Sequence, residues 1–150
     1  MSSSDGEERC AHQTFLALDG SRKAPVDKAR LFPAGAPLVG AGVRFGTADA
    51  DSEFIVAEGI ESTLSSMRLF GAVAGCAALS ADGLTRLVLP STIERVRIMA
   101  DYDGAGLEAA HAAARRWRNE GRTVQVSRPT RAGCDANDVW LARLRERADG

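Results

Sequence analysis

The chain holds only three cysteines, Cys10, Cys76 and Cys134, and no two of them form a CxxC or a Cys/His metal-binding spacing. That excludes a zinc ribbon and a disulfide scaffold, and it fits reduced thiols in a cytoplasmic setting. The two histidines, His12 and His111, have no matched partner for a metal. Charge of one sign is also lacking: the net charge is −1, so no global basic field draws in a polyanion. Any nucleic-acid site must then be local or work through bound metal. No apolar run approaches the ~18 residues of a membrane span. The polar, acidic start "MSSSDGEER" does not look like a secretory leader.

What the chain does have is an ordinary apolar fraction of 45% and enough length for one domain with a proper core. Three stretches are expected: a disordered tail over 1–11, a small β-rich segment over 12–50, and an α/β domain over 51–150. In the second stretch "HQTFLAL" and "GAGVRF" read as short strands around the basic "SRKAPVDKAR". Arg22, Lys23, Lys28 and Arg30 in that stretch are candidates to grip a template backbone.

From Glu53 the rhythm alternates. "EFIVA", "AVAGCA", "RVRIMA" and "TVQVSRP" read as strands. "IESTLSSMRLF", "GLEAAHAAARRWRNEG" and "DANDVWLARLRERA" read as helices, with Gly71 and Gly121 placed to stop the first two. "ALSADGLTRLVLP" is a connector with a helical turn. Such alternation implies a mostly parallel sheet flanked by helices. Arg115, Arg116 and Arg118 are expected on a solvated helix face, and Trp117 and Trp140 in the core.

Acidic residues recur where these strands stop. Glu58 follows "EFIVA", while Asp101 and Asp103 follow "RVRIMA". Ligands of open α/β sheets bind at that edge. Residues i and i+2 of an extended backbone share a face, so both aspartates can serve one site. Two or three hard oxygen ligands suit Mg²⁺ or Mn²⁺. Gly104 and Gly106 are expected to let the backbone come close to the ligand. A lone DxD is more often a turn or a helix cap, and Asp135 to Asp138 alone reads as a cap with an acidic first turn. The ordered set on α/β texture is the specific signal.

That order resembles the Toprim domain of primases, topoisomerases and related nucleases. The matching pieces are "VAEGIES", "IMADYDGAGLEAA" and "RPTRAGCDANDVWL", and they span roughly Glu53 to Ala148. "TFLALDGSRKA" and "GAGVRFG" are similar to the segment before Toprim in primase-like proteins of phages and mobile elements. The resemblance implies that Asp101 and Asp103 hold Mg²⁺. It implies that Glu58 is a general acid/base or a further ligand. Glu61, Asp135 and Asp138 would serve a second ion or the incoming nucleotide. Primases often carry Lys where this chain has Cys134, which leaves Arg128 or Arg131 to supply a cation. The activity implied is primase-like nucleotidyl transfer on a DNA template, with a helicase or further primase domains as partners and no membrane. The alternatives are a Toprim nuclease and a catalytically incomplete module that binds nucleic acid or a partner. A haloacid-dehalogenase-type phosphatase is disfavoured, because Ala105 stands where "DYDG" would need Ser or Thr.

Overall fold

The computed structural model describes residues 1–2, 7–8, 10–28, 30–31, 35, 39–49 and 51–148, with only the backbone of Arg30. Parts of the expected tail, residues 3–6 and 9, lie outside the described residues. Of the rest of that stretch, Ser2 bridges to Gly42 and the Met1 ammonium donates to the Cys10 carbonyl at 2.7 Å.

Two short strands, β1 (Gln13–Thr14) and β2 (Arg30–Leu31), pair antiparallel as a small separate sheet. The main sheet has five strands: β3 (Val43–Phe45), β4 (Glu53–Ala57), β5 (Ala74–Ala77), β6 (Arg95–Met99) and β7 (Thr123–Ser127). Their order is β3-β5-β4-β6-β7. The β4, β5, β6 and β7 neighbours run parallel, and β3 lies antiparallel on β5 at the edge. The helices are α1 (Ile60–Phe70), α2 (Ala81–Arg86), α3 (Gly104–Asn119) and α4 (Ala136–Ala148). This is the α/β architecture expected from the alternation. Among the described residues no helix is long and apolar enough to cross a membrane.

The centre of the sheet, β4 and β5, is buried on both faces, which is why those strands read as apolar runs, whereas β6 and β7 alternate and leave Arg95, Thr123 and Gln125 exposed. Phe54, Val56, Val96 and Ile98 face α2 and α3, whose Ala109, Ala110, Ala113, Ala114 and Trp117 form one apolar stripe at helical spacing. On the other face α1 packs on β4 and β5 and against α4. There α1 buries Ser62, Thr63, Ser65 and Ser66, small side chains that permit close approach. Two of these hydroxyls bond within the helix's own turn: Thr63 donates to Gly59 O at 2.8 Å and Ser66 to Ser62 O at 2.7 Å. Gly71 ends α1 in the left-handed region at φ 68°, as its position predicts.

Arg116 is only partly solvated: it donates to Leu87 O at 2.6 Å. Arg122 likewise binds the Ile93 and Leu89 carbonyls at 2.9 and 3.1 Å. These guanidiniums satisfy loop carbonyls that no strand pairs.

Candidate functional site

Register fixes where the acids meet. Ala57 of β4 stands opposite Met99 of β6, so both strands reach the carboxyl edge together. Each is carried one step further by its neighbour: Leu79 N donates to Glu58 O at 2.7 Å and Ala100 N to Ser127 O at 2.9 Å. Glu58 and Asp101 therefore leave the sheet side by side. Gly106, in the first turn of α3, marks their meeting point. A Cβ on that glycine would lie 3.2 Å from Glu58 Oε1, 3.0 Å from Asp101 O and 3.3 Å from Asp101 Cβ.

Asp103 is the N-cap of α3, its Oδ1 accepting from Gly106 N at 2.7 Å. The two aspartates of the DxD thus divide: Asp103 starts the helix, and Asp101 lines the cleft. Asp135 and Asp138 form a reciprocal cap, with Asp138 N donating to Asp135 Oδ1 at 2.9 Å and Asp135 N to Asp138 Oδ2 at 3.1 Å. A cleft of about 250 Å³ is lined by Glu58, Glu61, Asp101, Asp135, Asn137 and Lys23, among others. Asp138 instead lines a neighbouring groove with Arg131, beside α4.

Two carboxyls in this group hold their protons more tightly than usual. Burial raises Glu58, with the Asp101 and Asp103 charges adding to it. Burial also raises Asp101, helped by Asp135 and Asp103. Asp101 Oδ1 is buried with no hydrogen-bond partner among the described residues. A buried unpaired carboxylate oxygen is costly and calls for a cation or a proton. Among the described residues no three His, Cys, Asp or Glu side chains close around one point as a metal cage. The donor set still fits Mg²⁺, which uses one or two carboxylates and completes its shell with water and phosphate oxygens.

The folded domain binds protons at Glu58 and Asp101 at higher pH than the unfolded chain. The stability tied to those protons is complete below the ordinary carboxylate range and is lost as pH rises through the raised folded values. The midpoint of the metal-free protein, read relative to the Glu58→Gln/Asp101→Asn double variant, should therefore be higher within the ordinary carboxylate range than at neutral pH. A relative midpoint that instead rises with pH contradicts the assignment.

The other sequence candidates are spread more widely. Arg22 and Lys28 are exposed, and the side chain of Arg30 lies outside the described residues. Arg128 stacks on the Tyr102 ring, 3.9 Å from its centroid. Lys23 reaches the acidic cleft and pairs with Glu61 at 2.9 Å. Asn137, within the matching piece "RPTRAGCDANDVWL", lines the cleft and accepts from Ser65 Oγ at 3.0 Å. Leu79, also on the cleft, adopts a left-handed backbone at φ 74°, a strained state for a non-glycine residue.

The fold is similar to solved primase structures. A DNA primase domain from Pseudomonas aeruginosa matches at TM-score 0.59 and 18% identity, over 99% of this chain and 49% of that one. The DnaG primase catalytic domain bound to ssDNA matches at TM-score 0.53 and 16% identity, over 99% and 56%. The DnaG catalytic core matches at TM-score 0.55 and 17% identity, over 94% and 52%. The chain thus spans about half the length of the solved structures it matches. No curated protein matches it. The family profile described as Toprim domain covers residues 53–146, the stretch that supplies Glu58, Asp101 and Asp135, and by that match the chain belongs to the Toprim domain family.

Proposed function

We propose that this chain is a Mg²⁺- or Mn²⁺-dependent nucleic-acid enzyme module that performs primase-like nucleotidyl transfer on a DNA template. The observation that carries the reading is the convergence of Glu58 and the buried, unpaired Asp101 oxygen beside Gly106 at the sheet's carboxyl edge. The fold likeness to primase domains supports it. So does the acidic lining of the cleft, which fits a metal-bound phosphate better than a bare one.

In this reading Asp101 and Asp103 would hold the ion. A bound divalent ion neutralises charge on the reacting phosphate and aligns it for in-line attack. Glu58 takes the proton of the attacking hydroxyl, a role favoured by a carboxyl whose proton affinity is already raised. Glu61 and Asp135 face the same cleft and serve the nucleotide or a second ion, with Asp138 supporting Asp135. Arg22, Lys28, Arg30, Arg128 and Arg131 supply positive charge for the template backbone. A helicase or further primase domains act with the module.

Template-dependent oligonucleotide synthesis, with Asp101→Ala as control, tests this. Product from the wild type and none from the variant is expected. Equal product from both removes the mechanism. Metal-dependent nicking without added nucleotides transfers the same residues to a nuclease. DNA binding with no turnover in either protein leaves a binding module.

A further inference from the structure

Every other ionisable side chain that lines the acidic cleft is a carboxyl, yet Lys23 also lines it. Lys23 comes from outside the Toprim stretch. Its backbone is held in a hairpin: Lys23 bridges to Leu16, Ala17 N donates to Arg22 O at 2.9 Å, and Ala24 N donates to Phe15 O at 2.8 Å. The side chain crosses to α1 and meets Glu61 Oε1 at 2.9 Å. Both partners are about 40% exposed, at 42% and 39%. A pair so wet contributes little to stability and exchanges readily for a better partner.

We propose that Lys23 is the phosphate-binding cation of this site and that Glu61 holds it in position until a polyphosphate arrives. This rests on the nucleotidyl-transfer reading and names the substrate group that Lys23 would take, the phosphate chain of a nucleoside triphosphate. The chemistry requires such a group. A metal held by one or two carboxylates leaves part of a polyphosphate's charge uncompensated, and Glu58, Asp101, Glu61 and Asp135 would repel what remains. A mobile ammonium on a fixed hairpin supplies the missing charge. It moves from Glu61 to a phosphate oxygen by side-chain rotation alone, with no change in the sheet.

The test is calorimetric binding of inorganic tripolyphosphate in the presence of Mg²⁺, with Mn²⁺ binding followed in parallel by electron paramagnetic resonance. Lys23→Ala should weaken tripolyphosphate binding by about tenfold to a hundredfold, the scale of one charge-assisted contact. Its Mn²⁺ affinity should not fall, since removing a positive charge from the cleft relieves repulsion of the cation. Lys23→Arg should recover most of the binding. Glu61→Gln should tighten it, because the ammonium is released from its holding partner. Unchanged tripolyphosphate binding in Lys23→Ala overturns the proposal, as does a wild type that binds none. A parallel loss of Mn²⁺ affinity also overturns it, by making Lys23 structural. Weaker binding in Glu61→Gln removes the holding role. Lys23-dependent tripolyphosphate binding without oligonucleotide synthesis sinks the primase reading alone.

Discussion

Replacing Asp101 by Asn is expected to lower metal-dependent turnover by roughly a thousandfold, the scale of losing a group that acts on the transition state. The same change should raise the thermal midpoint of the metal-free protein. The two effects share one cause. Asp101 Oδ1 is buried without a hydrogen-bond partner, and the carboxyl lies in the field of Asp135 and Asp103. Near neutral pH that charge opposes folding, and the amide removes it. Screening across a half-exposed carboxyl keeps the gain small. Each kcal/mol recovered moves the midpoint by roughly 2–4 °C in a chain of this size. Added Mg²⁺ should reverse the order, because it stabilises only the protein that binds it. Melting curves of both proteins with and without MgCl₂ read all four quantities. If Mg²⁺ raises both midpoints equally, Asp101 is not a ligand.

Much of this arrangement was legible in the sequence because it depends on local rules. "EFIVA" and "IESTLSSMRLF" have the bounds of β4 and α1, since an apolar run and a glycine stop are local signals. The meeting of Glu58 with Asp101 follows from one topological rule, that parallel strands bring their carboxyl ends to the same edge. Long-range pairings were less legible. "GAGVRF" reads as a strand, but its antiparallel union with β5 joins residues about thirty apart and leaves no trace in periodicity. The contact between Lys23 and Glu61 depends on how the hairpin docks, and no spacing encodes that. Leu79 gives no warning of its positive φ, because the strain is imposed by the turn that carries Leu79 N to Glu58 O. Arg116 reads as a surface charge until the Leu87 carbonyl is placed within its reach.

The two glycines of "DYDGAG" look equivalent in sequence and should behave oppositely. Around Gly104 nothing lies within 4 Å of a Cβ. Gly104→Ala should be neutral or stabilise the protein by up to about 1 kcal/mol, through the lower entropy of the unfolded chain and better helix propensity. Gly106 has no such room. Its Cβ would press on the Asp101 carbonyl at 3.0 Å and on Glu58 Oε1 at 3.2 Å. The sequence suggests that this glycine makes way for a ligand, but the groups that come close to it are the site's own acids. In Gly106→Val the carboxylate can swing aside and the backbone oxygen cannot, so α3 must shift away from the loop that holds Asp101 and Asp103. A displacement on the order of 1 Å at reacting groups costs roughly a hundredfold in rate. Gly106→Val should therefore lose about that much turnover and much of the Mg²⁺-induced rise in melting temperature, while its circular dichroism stays that of a folded α/β domain. Wild-type turnover in a folded Gly106→Val protein would mean that Glu58 and Asp101 do not act from the positions this helix enforces.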